Sequence, residues 1–258
     1  MQEDNPLKLT EFQKKIFQLV RDTPQPGKWA GISAERHLAR ARDIRKIDPE
    51  MSVFHAITAE EEAATALFHS LKRRKYLGAR ALKHRDHVHK AAVKPFFDAV
   101  VLLLGPVVAT GLEPELIVQE QDGGERVLLR FTIYKGSERR TFAYPDPPLH
   151  FRASVNEQVH DFTQEIEKVV SDRNVKSILD YVRGIANMRN QVLYASTQGL
   201  PHVESPLEDY LRRQLDKVIH ILIVYLLVDP YDEHQDFVQQ CLNAFLKMLG
   251  KLPEGQPE

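Results

Sequence analysis

The sequence predicts an all-α bundle carrying one inserted β-hairpin, and three observations support that reading. Apolar residues recur at helical spacing through most of the chain. Helix ends fall where capping residues, prolines and glycines stand. A single stretch, Val127 to Tyr144, instead has the β-branched and aromatic content of strands.

The periodicity predicts helices near 7–22, 33–47, 49–77, 83–109, 154–171, 174–196, 205–228 and 231–249. Asp48-Pro49 starts the third, because an aspartate caps free amides and proline at the first helical position lacks only an amide that would be unpaired anyway. Pro95 and Pro106 should kink or divide the fourth. Strands at 127–134 and 139–144, joined through Lys135-Gly136-Ser137-Glu138 and ended by Pro145, Pro147 and Pro148, give the hairpin. Such a hairpin is marginal alone and should pack on the bundle or on a partner. Ser205-Pro206-Leu207-Glu208 reads as a capping box, and Gly250 stops the last helix. The expected organisation is one helical domain over 1–250, a hairpin insertion at about 125–145 and a flexible tail at 251–258.

The helix at 174–196 contains the most informative residue. At about 100° per residue, Val175, Ile178, Leu179, Val182, Ile185, Ala186 and Leu193 share one stripe, with Arg189 in its middle. Arg183, Asn187, Asn190 and Tyr194 form a polar line along one edge of it. Arginine is rarely buried unless paired. Arg189 therefore snorkels to water, has a carboxylate partner, or faces a second chain or an anionic ligand. On the helix from Pro49, Val53, Ile57, Ala64, Leu67 and Leu71 share a face into which Glu60 projects. Glu61 lies at the margin of that face and Glu62 points away. A carboxylate and a guanidinium placed in this way satisfy one another, either as a functional site or as an ion pair that fixes helix packing.

Composition sets the broad class. Apolar residues make up 43% and charged residues 28% of 258, which suits a globular protein with a sizeable core. The single cysteine, Cys241, excludes an internal disulfide and a multi-cysteine metal site, and it stands at a core position of its helix. The acidic start has no signal-peptide character, and no apolar run approaches the roughly 20 residues of a membrane span, so a soluble cytoplasmic protein without membrane attachment is expected. Formal net charge is −1 but unevenly spread: Lys72 to Lys94 holds nine Lys or Arg against one acid, Asp86, with three histidines besides. Arg36, Arg40, Arg42, Arg45 and Lys46 form a second basic block. Such blocks are either solvated helix faces or contacts to a phosphate backbone.

Other chemistries find little support. His84 and His87 share a helix face but His89 does not, and only Glu157-Gln158-Val159-His160 has the Glu-x-x-His form that a di-iron bundle needs twice. No metal or other cofactor is implied. Gly123-Gly124 lacks the Lys-Ser/Thr of a phosphate loop, and no Gly-x-Ser-x-Gly elbow is present.

Three segments together resemble the HEPN superfamily of prokaryotic defence and toxin systems, and within it the AbiV-like abortive-infection branch. They are Ala59-Glu60-Glu61-Glu62-Ala63-Ala64, His87-Val88-His89-Lys90 and Arg189-Asn190-Gln191-Val192-Leu193-Tyr194-Ala195-Ser196, and the likeness covers roughly 30–230. The resemblance implies a HEPN-like helical bundle that forms a homodimer and works as an antiviral-defence endoribonuclease without metal. HEPN ribonucleases carry Arg, often followed by Asn, and then His four to six residues after the Arg. Here Tyr194 stands where the histidine is expected, and a phenol of ordinary pKa, about 10, is a poor base at neutral pH.

On this resemblance Arg189 and Asn190 would hold the scissile phosphate, Tyr194 or a nearby histidine would assist attack by the ribose 2′-hydroxyl, and Glu60 or Glu61 would orient Arg189. Arg183, Asn187, Lys72, Arg73, Arg74, His84 and His87 would bind the RNA, and a viral or antitoxin protein would be a further partner. The alternatives are a non-enzymatic sensor or interaction module of the same fold, which binds protein or RNA, and a di-metal helical oxidase.

Overall fold

The computed structural model describes residues 8–109, 113–121, 123–135, 140–173, 177–195, 201–203 and 206–250. The expected tail at 251–258, hairpin turn at 136–138, helix start at 174–176 and Ser205 of the capping box lie outside the described residues. The protein is mostly helical with a small antiparallel sheet. In chain order the elements are α1 (Glu11–Asp22), α2 (Gly27–Ile44), α3 (Pro49–Arg73), a 3-10 turn (Ala79–Ala81), α4 (His87–Ala91) and α5 (Val93–Ala109). There follow β1 (Glu113–Gln121), β2 (Gly124–Lys135), β3 (Arg140–Ala143), β4 (Ser154–Val155), β5 (Gln158–Val159), α6 (Thr163–Ser171), α7 (Ile178–Gln191), α8 (Leu207–Val228) and α9 (Asp236–Met248). Contacts divide the chain into two units. The first contains the chain up to His69, His84–Val93 and Val182–Tyr225; the second contains Ser70–Lys83, Lys94–Tyr181 and Leu226 onward.

In the first unit, α1 buries Ile16, Phe17, Leu19 and Val20, and α2 buries Ala30, Gly31, Ala34, Leu38 and Ala41. Close approach explains two of the small residues. A Cβ on Gly31 would collide with Cγ1 of Val20, and one on Gly27 would lie 2.6 Å from Oη of Tyr225. Tyr225, fully buried on α8, donates to Oγ1 of Thr23 at 2.7 Å, and Thr23 in turn donates to the Val20 carbonyl at 2.7 Å. Asp48 caps α3 through Oδ1, which accepts from the amide of Met51 at 2.9 Å. Ser52 then ties α3 to α2 by donating to the Ala41 carbonyl at 2.7 Å.

The second unit has an aromatic core. Phe96 meets Phe162 and Phe245 at centroid distances of 5.7 and 5.5 Å, and Phe151 stacks on Phe237 at 4.6 Å. Fully buried Gln235 is satisfied at both ends of its amide: Oε1 accepts from the Leu149 amide at 2.7 Å and Nε2 donates to the Leu227 carbonyl at 2.8 Å.

Four segments differ from the sequence expectation, the first being α2, which starts at Gly27 and not near 33. The hairpin is the outer part of a three-stranded sheet in the order β1-β2-β3, because Glu113–Gln121 pairs antiparallel with β2 through a tight turn at Gly123, φ +79°. The expected helix at 154–171 is helical only from Thr163. Before it, β4 and β5 pair across Asn156 and Glu157, whose φ of +52° and +66° give the turn the backbone twist that two-residue hairpins favour. Helix 83–109 is divided at Ala92 into α4 and α5, because Pro95 has no amide to donate to the Ala91 carbonyl, whereas Pro106 stands within α5. Among the described residues no helix is long and apolar enough to cross a membrane.

Candidate functional site

The site lies in the first unit and is built from α2, α3, α4, α7 and α8. Ser177 starts α7 by accepting from the Asp180 amide at 3.1 Å and donating to its carboxylate at 2.8 Å. Asp86 starts α4 by accepting from the amides of Val88 and His89, which places His87 at the first helical position and Lys90 one turn later.

Arg189 donates from Nη1 to Nε2 of His87 at 3.1 Å. Nδ1 of His87 lies 2.7 Å from Oε1 of Glu61, and Nζ of Lys90 donates to Oε2 of the same carboxylate at 2.9 Å. These distances fix the imidazole's state. A guanidinium can only donate, so Nε2 accepts; the ring proton sits on Nδ1 and is donated to Glu61. Glu61 and Lys90 are 6% and 7% exposed, whereas His87 is 43% exposed, so the relay runs from a buried ion pair to a solvent-facing base. The guanidinium also lies over the Phe54 ring, 4.8 Å from its centroid, an arrangement that stabilises a cation by roughly 0.5–2 kcal/mol. Nε of Arg189 is buried and, among the described residues, has no hydrogen-bond partner.

Glu60 is also buried but meets Lys217 of α8 at 3.4 Å. Beside it, Tyr210 accepts a 2.7 Å bond from Nε2 of Gln214. Burial pushes the Tyr210 phenol up to about 12, and the Glu60 carboxylate adds to that rise, so Tyr210 stays protonated.

The structure therefore brings together Arg189, His87 and Glu61 of the sequence candidates, with Glu60 in a separate pair. The intervening group is an imidazole: no carboxylate touches Arg189 among the described residues. Tyr194 lies past the end of α7, 66% exposed, its amide bonded to the Asn190 carbonyl at 3.0 Å. Arg183, Asn187 and Asn190 are exposed on α7, and Asn190 donates to Oδ1 of Asn187 at 3.5 Å. The His84 ring packs against His69 at 5.1 Å.

Compared with protein-family models, curated proteins and solved structures, the chain matches none.

Lys72, Arg73 and Arg74 belong to the second unit. There Arg73 pairs with Asp229 at 2.6 Å, and Arg74 donates to the Asp229 carbonyl at 2.7 Å and pairs with Asp232, so two of the three charges are engaged inside the protein. Glu157-x-x-His160 is not a helical ligand pair. Glu157 is in the β4–β5 turn, and His160 bonds Glu165 at 2.7 Å. Among the described residues no three His, Cys, Asp or Glu are grouped to hold a metal.

Periodicity did not single out Lys90, Lys217, Tyr210 or Phe54, nor the pair His37 and His55, whose Nδ1 atoms lie 2.8 Å apart. No sequence signal marks that pair: at about 100° per residue His55 lies on the face of its helix opposite Val53, Ile57, Ala64, Leu67 and Leu71.

Proposed function

We propose that the Arg189–His87–Glu61 relay is the site of a metal-independent endoribonuclease, and that the protein acts in abortive-infection defence as a toxin against the infected cell's RNA. The carrying observation is the 2.7 and 3.1 Å chain of contacts, which gives His87 a fixed tautomer with its lone pair directed at the phosphate-binding guanidinium.

When a backbone phosphate engages Arg189, it competes for Nη1 and frees Nε2 of His87. Nε2 then takes the proton of the ribose 2′-hydroxyl as the 2′-oxygen bonds to phosphorus. The bond from phosphorus to the 5′-oxygen breaks, and the proton held on His87 passes to that leaving oxygen. The products are a 2′,3′-cyclic phosphate and a 5′-hydroxyl, with no oxidant or metal required. Glu61 stabilises the imidazolium that forms in between, and Arg189 stabilises the charge that develops on the phosphoryl oxygens.

The exposed line of Arg183, Asn187 and Asn190 supports a role for this face in holding RNA or a second copy of the chain, as the HEPN resemblance implies. A cytoplasmic location, a homodimer and a viral or antitoxin partner belong to the same proposal. A second reading, a non-catalytic binding module, is favoured by the depth of the Lys90–Glu61 pair, because a buried ion pair can serve only to fix helix packing. Incubating the purified protein with total RNA in excess chelator and analysing the product ends distinguishes them. Cyclic phosphate ends support the ribonuclease; intact RNA with both monomer and dimer supports the binding module.

A further inference from the structure

His37 on α2 and His55 on α3 share one short contact, Nδ1 to Nδ1 at 2.8 Å, with both rings partly exposed. Neither ring has a carboxylate partner among the described residues. Arg40, one turn after His37, is exposed and likewise has no ion-pair partner among them. The Phe54 ring, which carries the Arg189 guanidinium on its face, meets the His55 ring edge-on at 5.7 Å. Arg189, the Phe54 ring and the histidine pair therefore stand in a row with Arg40 beside them, and among the described residues none of these cationic or imidazole groups has a carboxylate in direct contact.

The charges acting on the pair come from Arg40 on α2 and Arg189 on α7. Burial and the neighbouring His55, Arg40 and Arg189 push His37 down to about 4; burial and Arg40 push His55 down. At neutral pH the pair therefore holds only its two ordinary ring protons. One ring donates its Nδ1–H and leaves a bare Nε2, while the other accepts at Nδ1 and carries Nε2–H. A single added proton changes this without breaking the shared bond, because both rings then present Nε2–H. An anion is the ligand that favours that form.

We propose that His37, His55 and Arg40 form a second anion subsite, which takes the RNA backbone phosphate next to the one held by Arg189 and completes its set of donors by taking up one proton. The inference rests on the ribonuclease reading for its substrate, but its proton uptake is measurable without any cleavage.

Sulfate is a suitable probe, since it does not titrate between pH 5 and 7. Its affinity for the protein at constant ionic strength should rise roughly tenfold for each unit that pH falls, as expected for one linked proton. That dependence should vanish in His55→Gln, whereas Arg40→Ala should weaken binding at every pH and keep the slope. Imidazole nitrogen spectra of the wild type at pH 6 provide a readout independent of the variants: sulfate should convert one histidine pair to its singly protonated form. A flat wild-type response, or the same slope in folded His55→Gln, overturns the subsite. A short single-stranded DNA, which lacks the 2′-hydroxyl and cannot be cleaved by this route, should displace the sulfate. Sulfate that it leaves in place overturns the polynucleotide assignment. RNA cleavage without the sulfate response sinks the subsite alone, and the sulfate response with intact RNA sinks the cleavage reading alone.

Discussion

Nη1 of Arg189 and Nε2 of His87 meet at 3.1 Å although 102 positions separate them in the chain. The contact gives the imidazole one acceptor and one donor nitrogen, and the donor is held by Glu61 at 2.7 Å. Two consequences of this contact, and two of contacts elsewhere in the fold, can be measured.

On the proposed mechanism His87, and not Tyr194, accepts the proton. His87→Ala should lower RNA cleavage by roughly 10²–10⁴-fold, the usual contribution of a positioned general base. Tyr194→Phe should leave it unchanged, because the phenol is exposed beyond the end of α7. Initial rates on one defined RNA, measured for both variants, decide between them.

Glu61 serves both His87 and the buried Lys90. Glu61→Gln should cost about 3–5 kcal/mol of stability, because it leaves an ammonium buried without its counter-charge. Adding Lys90→Met should restore most of that stability, since the unpaired charge is gone, yet cleavage should stay low because His87 has lost its orienting carboxylate. Urea unfolding midpoints and cleavage rates for the single and double variants separate the two roles.

The histidine pair should make stability sensitive to acid. His37 falls from about 6.5 unfolded to about 4 folded, so the unfolded chain binds more protons between those values. Its contribution is fully present above pH 6.5 and is lost as pH falls toward 4. After allowance for solvent screening of a half-exposed ring, the loss is roughly 1–2 kcal/mol. Unfolding free energies measured from pH 7 to pH 4 should fall less steeply in His37→Gln than in the wild type.

Tyr225→Phe removes the 2.7 Å bond to Thr23, while Thr23 keeps its own bond to the Val20 carbonyl. The expected cost is about 1 kcal/mol, read as a shift in the urea midpoint with unchanged slope.

The Arg189 stripe, the Glu60–Glu61 face and the Asp48-Pro49 helix start were legible in the sequence because each depends on local periodicity or a local cap. His87 was legible as a basic residue but not as the partner of Arg189, since nothing local connects a five-residue helix to α7. The β4–β5 turn escaped because Asn156 and Glu157 adopt left-handed backbone in a segment whose composition reads equally well as helix. β1 was missed although Asp122-Gly123 is a strong hairpin signal, because its Leu116-Ile117-Val118 run is short and flanked by acidic residues. The His37–His55 contact depends on α2 lying against α3, which helical periodicity does not specify.

On the ribonuclease reading, Arg189 and His87 act together on RNA without metal. Its most direct test compares cleavage of total RNA in excess chelator by wild type, Arg189→Ala, His87→Ala and the double variant, with the oligomeric state of each recorded. Cyclic-phosphate products should form from the wild type, roughly 10²-fold or more slowly from each single variant and no more slowly from the double one, with oligomeric states that match throughout. Equal cleavage by all four proteins, or none by a folded wild type in any oligomeric state, would contradict that reading.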